Sequence, residues 1–243
     1  MLKFIFFKYF DRQSLIYKIS QELKFFLFKF INIKNYIFLK KRINYYRINN
    51  SNVRIHFGAG SGKAGEANVT LLEGFLNSDI LGEVPIDIRK KLPFKNKEVD
   101  LIFSSHVIEH ITHKQFLLFL NECYRIMKKD AVKIIATPSL EKISKTLYFG
   151  SKIKKKVIYK FHSGKIYGKP LTPAFVINGM CHINYGHKFL YDYETIKNCC
   201  DNAGFSNTRK YNIEDLDDGY IKNYLASKGK GFNAETEIYY IKK

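Results

Sequence analysis

The sequence lacks a long uncharged apolar run. A helix that crosses a bilayer needs about 20 consecutive apolar residues, and no uncharged run of the 243 residues reaches that length. No small-residue cleavage site follows an apolar core near the first residue. We therefore expect neither a membrane-spanning helix nor a cleaved signal peptide.

Cysteine is scarce, and no two cysteines form a C-x-x-C pair. The four cysteines are Cys123, Cys181, Cys199 and Cys200. Cys199 and Cys200 are adjacent and cannot form a relaxed disulfide with each other. This usage is typical of a reduced compartment, so we expect a cytoplasmic protein.

Acidic residues are few relative to basic ones. The chain has 22 Asp and Glu against 41 Lys and Arg, which gives a formal charge of +19. Such a charge suits nucleic acid, an anionic membrane surface or an acidic substrate. Lys, Ile and Asn are abundant throughout the chain, however, and a biased coding composition produces the same pattern. The charge alone therefore selects no partner.

Residues 1–50 differ from the rest of the chain. They hold eleven Lys and Arg against Asp11 and Glu22, interleaved with phenylalanines. Apolar residues recur at helical spacing, which predicts an amphipathic helix over residues 13–31. Two interpretations stay open: the helix lies on an anionic membrane surface, or it packs on its own domain or a second subunit.

From residue 53 onward, strand and helix patterns alternate, which favours an α/β fold with a mostly parallel sheet. The predicted strands are Val53–Phe57, Phe75–Ile80, Val99–Ser104, Val132–Thr137, Asn207–Asn212 and Glu235–Ile241. The predicted helices are Gln115–Met127 and Tyr191–Ala203, and an acidic turn (EDLDDG, 214–219) separates the last two strands.

Residues 144–187 fit no strand–helix unit. They are basic (SKIKKK, 151–156) and interrupted by glycine and proline. An insertion after the fifth strand would lie above the carboxyl ends of the strands, where ligands bind in such sheets. We interpret it as a lid or substrate cap; the alternative is a solvated loop.

The stretch RIHFGAGSGKAG (54–65) is a glycine-rich turn after the first strand. A phosphate-binding P-loop is excluded, because Gly62-Lys63 comes one residue too early and Ala64 replaces the hydroxyl that holds magnesium. Two interpretations remain. The G-x-G-x-x-G pattern from Gly60 fits a dinucleotide turn, whereas Gly58-Ala59-Gly60 fits a turn beneath S-adenosylmethionine. In both, Asp79 holds a ribose.

Three later segments resemble class I S-adenosylmethionine-dependent methyltransferases. They are LPFKNKEVDLIFSSHVIEHI (92–111), NECYRIMKKDAVKIIATPSLEKI (121–143) and GHKFLYDYETIKNCCDNAGF (186–205). The likeness is to small bacterial methyltransferase-domain proteins, whose genes often lie among those for surface-sugar assembly. The resemblance covers residues 53–243 and implies a Rossmann-like sheet whose last strand is antiparallel. We expect an extension, 1–50, and a methyltransferase domain, 51–243, that contains the insertion 144–187.

The chain departs from the family pattern at three places. Phe75 stands where the pattern prefers tryptophan. Lys129-Asp130-Ala131 replaces a P-G-G turn, and the glycine loop is several residues longer before Asp79. These departures leave Gly58 and Gly60 as the loop residues that the resemblance assigns to the cofactor.

The resemblance implies positions for the cofactor, S-adenosylmethionine. Gly58 and Gly60 would bind it, Asp79 would bind its ribose, and Asp87 would lie near its adenine. Ser104 and Ser105 would line the pocket beside its methionine part. Asp100, which opens the third strand, is expected to be structural.

Methyl transfer from a sulfonium needs alignment and, in some cases, removal of a proton, and no metal. His106, after the third strand, is the leading candidate for a base, or it is a structural imidazole. His187 and Asp192 either face the substrate or stabilise the turn and open the last helix. Glu109 and His110 are expected to pack and cap the start of the following helix.

We predict no metal site. Cys181, His182 and His187 lack the paired ligand spacing of a structural zinc centre and leave its fourth position unfilled.

The first functional hypothesis is methyl transfer to a hydroxyl or amine of a small molecule or glycan precursor, with the enzyme at the inner face of the membrane if residues 1–50 bind lipid. The second is a non-catalytic S-adenosylmethionine-binding module tethered to a membrane or partner. The chain lacks the N/D-P-P-Y/F motif of enzymes that methylate amino groups of nucleic acids. We therefore expect no specific nucleic-acid partner.

Overall fold

The structure is a computed structural model that describes residues 39–60, 71–163, 172–183 and 185–243. The helix predicted over residues 13–31 lies outside the described residues. Within the described ranges, no helix combines the length and the apolarity needed to cross a bilayer.

A six-stranded sheet forms the centre of the described part of the chain. Its strands are β1 (Arg54–Phe57), β2 (Leu76–Ser78), β3 (Val99–Ser105), β4 (Met127–Pro138), β5 (Asn207–Tyr211) and β6 (Thr236–Lys242). They lie in the order β2-β1-β3-β4-β6-β5. The first four are parallel, whereas β6 is antiparallel to both neighbours. The predicted α/β class, with a mostly parallel sheet and an antiparallel last strand, is confirmed.

Strand β4 is longer than the predicted Val132–Thr137, because it begins at Met127. Met127 pairs with Val99 on β3, and the register shifts between Val99 and Leu101. Asp130 has a positive φ of 62°. The Lys129-Asp130-Ala131 segment is therefore an irregular part of a strand rather than the turn expected at that place.

Eight α-helices accompany the sheet within the described residues. They are α1 (residues 39–49), α2 (His113–Ile126), α3 (Leu140–Ser144), α4 (Lys152–Ser163), α5 (Pro173–His182), α6 (Tyr193–Asn202), α7 (Gly219–Ser227) and α8 (Gly229–Glu235). Helices α2 and α6 match the two predicted helices to within two residues at each end. Helices α7 and α8 were not predicted, because their glycines lower helix propensity.

Helix α2 begins with a capping box. The Thr112 hydroxyl accepts a hydrogen bond from the Gln115 backbone N–H (3.3 Å), and the Gln115 side chain accepts one from the Thr112 N–H (2.9 Å). Its buried face then packs on the sheet and consists of Phe116, Phe119, Leu120, Cys123 and Ile126. Thr112 therefore caps this helix, and the expectation that Glu109 and His110 cap it is wrong.

Helix α1 packs into the main hydrophobic core. Leu39 and Ile43 are buried in the same cluster as Ile55 of β1 and Ile102 of β3. The Tyr46 hydroxyl donates to the Gly74 carbonyl oxygen at 2.7 Å. Residues 39–49 thus share the core of the sheet, although the sequence placed them in the extension.

The described residues 140–163 and 172–182, here called the helical layer, form helices with a small core of their own rather than a solvated loop. The buried members of this core are Ile143, Leu147, Ile158, Val176, Met180 and Leu190. Helix α4 reaches the sheet through His162, whose Nε2 lies 2.8 Å from Glu235 Oε2, one residue before β6. Thr236 of β6 pairs with Pro138 at the carboxyl end of β4. The helical layer therefore meets the end of the sheet at which the parallel strands finish.

Candidate active site

The turn after β1 uses two glycines in the left-handed region. Gly58 has a φ of 79° and Gly60 a φ of 85°. The backbone N–H groups of Gly58 and Ala59 both donate to the Ser78 carbonyl oxygen, at 2.8 and 3.1 Å. A Cβ atom on Gly58 would lie only 2.2 Å from Val107 Cγ2. Gly58 is therefore required by its packing against Val107 as well as by its φ.

Asp79 follows β2 and lies against this turn. Its Oδ2 accepts a hydrogen bond from the Gly60 N–H at 3.2 Å, and its Oδ1 accepts one from the Leu81 N–H at 2.9 Å. A carboxylate has about four acceptor positions, so it retains capacity for further donors. The structure thus brings Gly58, Gly60 and Asp79 together, as the sequence predicted.

Asp87 is engaged by Arg89. The guanidinium donates to both carboxylate oxygens, with Nε to Oδ1 at 2.8 Å and NH2 to Oδ2 at 3.0 Å. Burial alone would raise the pKa of Asp87, but the hydrogen bonds and the charge of Arg89 outweigh it, and the pKa lies below its ordinary value. Contact between Asp87 and adenine stays a prediction.

Ser104 and Ser105 end β3 beside the turn. Ser104 pairs with Phe57, the last residue of β1, and Ser105 pairs with Ala136 of β4. Both side chains are buried, and neither hydroxyl has a hydrogen-bond partner in the described part of the chain. Because successive side chains of a strand point to opposite faces, the two hydroxyls lie on opposite sides of the sheet, and contact of either with the cofactor stays a prediction.

His106 follows directly, with a positive φ of 53°. Its N–H donates to the Ala136 carbonyl oxygen at 2.8 Å, and its Nε2 lies 2.9 Å from Thr236 Oγ1. Its Nδ1 lies 3.3 Å from Glu109 Oε1. The ring is thus fixed between β4, β6 and Glu109, and its side chain keeps a quarter of its surface exposed.

Glu109 lies in a short 3-10 turn, Ile108–His110, and is fully buried. Its Oε2 accepts a hydrogen bond from the Thr137 hydroxyl at 2.9 Å. Burial raises the pKa of Glu109 to about 8.

His187 is 5% exposed and stacks on Tyr185, with ring centroids 5.2 Å apart. Its ring also meets that of His110 edge to face at 4.8 Å. Burial lowers the pKa of His187 far below its ordinary value, and the neighbouring histidines lower it further. Burial, and then the positive charge of Lys188, lower the pKa of His110 to about 4, although part of that side chain is exposed. Both imidazoles are neutral at pH 7.

Asp192 begins helix α6. Its Oδ1 accepts a hydrogen bond from the Thr195 N–H at 2.9 Å, so it acts as the N-terminal cap. Of the two interpretations that the sequence left open for Asp192, the structure supports the helix-opening one.

A buried pair near His106 was not anticipated from the sequence. His162 Nε2 contacts Glu235 Oε2 at 2.8 Å, and the Tyr185 hydroxyl lies 3.3 Å from His162 Nδ1. The partners come from α4, α8 and the loop after α5. No local pattern could have found them, because 73 residues separate His162 from Glu235.

Comparison with known proteins finds a family likeness over part of the chain. Residues 69–135 match the model of a methyltransferase domain. That range runs from just before β2 through α2 into β4. A comparison with curated proteins finds no match.

Solved structures that this chain is similar to include a SAM-dependent methyltransferase from Archaeoglobus fulgidus, at 16% identity and a TM-score of 0.45, covering 86% of this chain and 94% of that one. A possible histamine N-methyltransferase from Thermotoga maritima is 15% identical, with a TM-score of 0.42 and coverage of 89% and 97%. Phosphoethanolamine N-methyltransferase 2 from Haemonchus contortus is 12% identical, with a TM-score of 0.41. The match covers 86% of this chain and 51% of that one. At these scores the likenesses decide nothing about the acceptor.

Proposed function

We propose that this chain, whose residues 69–135 match the model of a methyltransferase domain, is a class I S-adenosylmethionine-dependent methyltransferase that transfers a methyl group to a hydroxyl or an amine of a small molecule or glycan precursor. The proposed cofactor is S-adenosylmethionine. The family match favours it over a dinucleotide, because the matched model is that of a methyltransferase domain. The observation that carries the proposal is the contact between the Gly58–Gly60 turn and Asp79 at the ends of β1 and β2.

Methyl transfer from a sulfonium needs few catalytic groups from the protein. The acceptor oxygen or nitrogen attacks the methyl carbon in line, the C–S bond breaks with its electron pair kept by sulfur, and the acceptor proton is released. The protein must align the two reactants and exclude water. Asp79 supplies acceptor oxygens suited to ribose hydroxyls, and the hydroxyls of Ser104 and Ser105 lie at the adjacent strand end.

We assign His106 as the group that positions the acceptor or takes its proton. It is the imidazole at the end of β3, and its contacts with Thr236 and Glu109 fix the ring. A fixed, partly exposed imidazole near the pocket suits this role at neutral pH. His187 is buried and fits this role less well than His106 does.

Calorimetric titration of S-adenosylmethionine into full-length protein tests cofactor binding. Replacing Asp79 with alanine removes hydrogen bonds to a charged acceptor, so affinity should fall about 10- to 100-fold. Asp217→Ala, at an exposed carboxylate, is the matched control and should leave affinity unchanged. Equal affinities for the two variants would refute the role given to Asp79.

Transfer of label from methyl-labelled cofactor to hydroxyl- and amine-bearing acceptors tests turnover. Labelled product supports catalysis. Intact cofactor binding with no transfer to any component of a lysate would instead favour the alternative, a non-catalytic binding module.

We also propose that the protein associates with an anionic membrane surface. Besides the basic residues 1–50, helix α4 and the turn before it expose Phe149 and Ile153 beside Lys152, Lys154 and Lys156. Exposed apolar residues among lysines suit an anionic lipid interface.

Co-sedimentation with vesicles tests this association. Binding should require anionic lipid, weaken as salt is raised, and fall in a Phe149→Ser/Ile153→Ser variant. Deletion should stop at residue 38, because Leu39 and Ile43 belong to the core. Equal pelleting of the full-length, deleted and substituted proteins would exclude the proposal.

A further inference from the structure

Three potential metal ligands converge at the carboxyl ends of β3 and β4. Glu109 and His110 come from the 3-10 turn after β3, and His187 comes from the loop before α6. One ligand atom of each lies within 4.8 Å of those of the other two. We propose that Glu109, His110 and His187, here called the 109/110/187 cluster, bind a divalent transition-metal ion.

The spacing is close to what a bound ion needs. Ligand atoms about 2.1 Å from a tetrahedral zinc ion lie about 3.4 Å from one another. Each pair of ligand atoms in the cluster, now within 4.8 Å, would therefore have to approach by at most about 1.4 Å. Rotation of the His110 side chain, which is exposed, can supply much of that movement without disturbing the core.

A second observation points to a ligand at this place. His187 is 5% exposed, and in the described ranges its Nδ1 has no hydrogen-bond partner. A buried polar atom left unpaired costs about 1–3 kcal/mol. Coordination of an ion by this imidazole would remove that cost.

Groups around the 109/110/187 cluster contact its side chains in the way that outer-shell groups contact the ligands of known metal sites. The Thr137 hydroxyl donates to Glu109 Oε2 at 2.9 Å, and His106 Nδ1 lies 3.3 Å from Glu109 Oε1. Tyr185 stacks on the His187 ring. Such outer contacts orient ligating side chains and commonly contribute 10- to 100-fold to metal affinity.

The donor set selects the class of ion. Two imidazole nitrogens and one carboxylate suit zinc, cobalt, nickel or ferrous iron, whereas magnesium and calcium prefer oxygen ligands. Three protein ligands leave coordination positions open, as catalytic rather than structural zinc sites do. The cluster also differs from the Cys181, His182 and His187 set that the sequence suggested and rejected, because His182 is exposed at the end of α5.

The position of the cluster gives the ion a role, and this step rests on the proposed function. Val107, two residues before Glu109, packs against Gly58 of the cofactor turn. The cluster therefore follows closely on the residue that packs against the proposed cofactor turn, and an ion held there would bind the oxygen of an acceptor hydroxyl and lower its pKa. The acceptor proton would pass to His106, the acceptor oxygen would attack the methyl carbon, and the C–S bond would break with its electron pair kept by sulfur. This narrows the acceptor class from hydroxyl or amine to hydroxyl.

Metal binding is tested on the full-length protein after treatment with EDTA and removal of the chelator. Titration with Co²⁺, followed by its visible absorption, and with Zn²⁺, followed by calorimetry, should show one ion per chain. Glu109→Gln, His110→Ala and His187→Ala should each weaken binding at least tenfold, whereas His182→Ala should match the wild type.

Two results would overturn the proposal. One is the absence of stoichiometric Co²⁺ or Zn²⁺ binding by the wild type, a measurement that needs no folded variant. The other is a loss in His182→Ala as large as that in His110→Ala, the variant least expected to disturb folding because His110 reaches the surface.

The role in catalysis is tested separately. Cofactor affinity is measured with and without Zn²⁺, and transfer to a hydroxyl acceptor is measured in chelated and zinc-loaded protein. Zinc should accelerate transfer at least tenfold while leaving cofactor affinity unchanged. Equal transfer in both states would refute the role in catalysis but not the site, and failure of cofactor binding would refute the proposed function alone.

Discussion

At the scale of single residues, the contacts around Glu109 explain both what the sequence could show and what it could not. The S-H-V-I-E-H motif at 105–110 predicted that His106 follows a strand, and in the structure His106 comes directly after β3. The partners of this motif come from distant positions: Thr137 from β4, Thr236 from β6 and His187 from before α6. Only the sheet order brings them together, so a sequence pattern could name single candidates but not the cluster.

Gly58 gives a prediction at this scale. In Gly58→Ala, the new Cβ would lie 2.2 Å from Val107 Cγ2 on a backbone with a φ of +79°. We expect the free energy of unfolding to fall by about 1–3 kcal/mol, measured by urea denaturation.

Gly219→Ala is the control, because a Cβ at that position would meet no atom within 4 Å and the φ of Gly219 is not positive. Adding Val107→Ala to Gly58→Ala should recover part of the loss, since it removes the clash but not the backbone strain. If the two glycine variants lose the same stability, the close approach of Val107 to Gly58 is not what requires glycine there.

At the scale of elements, periodicity predicted what local apolar patterns determine. The strands β1, β2, β3, β5 and β6 and the helices α2 and α6 fall within two residues of their predicted bounds. The start of β4 and the presence of α7 depend instead on contacts between residues far apart in the sequence. Strand β4 gains Met127 through its pairing with Val99, and α7 packs Ile221 and Leu225 against the sheet despite weak helix propensity.

Helix α1 provides a prediction for elements. Ile43 is 2% exposed in the main core, whereas Ile48 on the same helix is 83% exposed. Ile43→Ala should therefore lower the free energy of unfolding by about 2–4 kcal/mol, and Ile48→Ala should change it by no more than about 0.5 kcal/mol. Urea denaturation of the full-length variants measures both, and similar small losses would mean that α1 does not contribute to the core.

At the scale of the whole molecule, the order of the strands places the candidate site residues at one end of the sheet. Strands β1, β2, β3 and β4 are parallel and finish at the same end, where β6 begins. The glycine turn, Asp79, His106 and the 109/110/187 cluster therefore share one region, next to the helical layer. The ordered motifs of the sequence predicted this fold. They did not predict the internal packing of the helical layer, which depends on contacts such as His162 with Glu235.

The most direct test of the central claim is a crystal structure of the full-length protein with S-adenosylhomocysteine. We expect the ribose hydroxyls within hydrogen-bonding distance of Asp79 and the thioether passing over the Gly58–Gly60 turn toward Ser105 and His106. A crevice closed to the ligand, or a nicotinamide dinucleotide bound there in its place, would contradict the account.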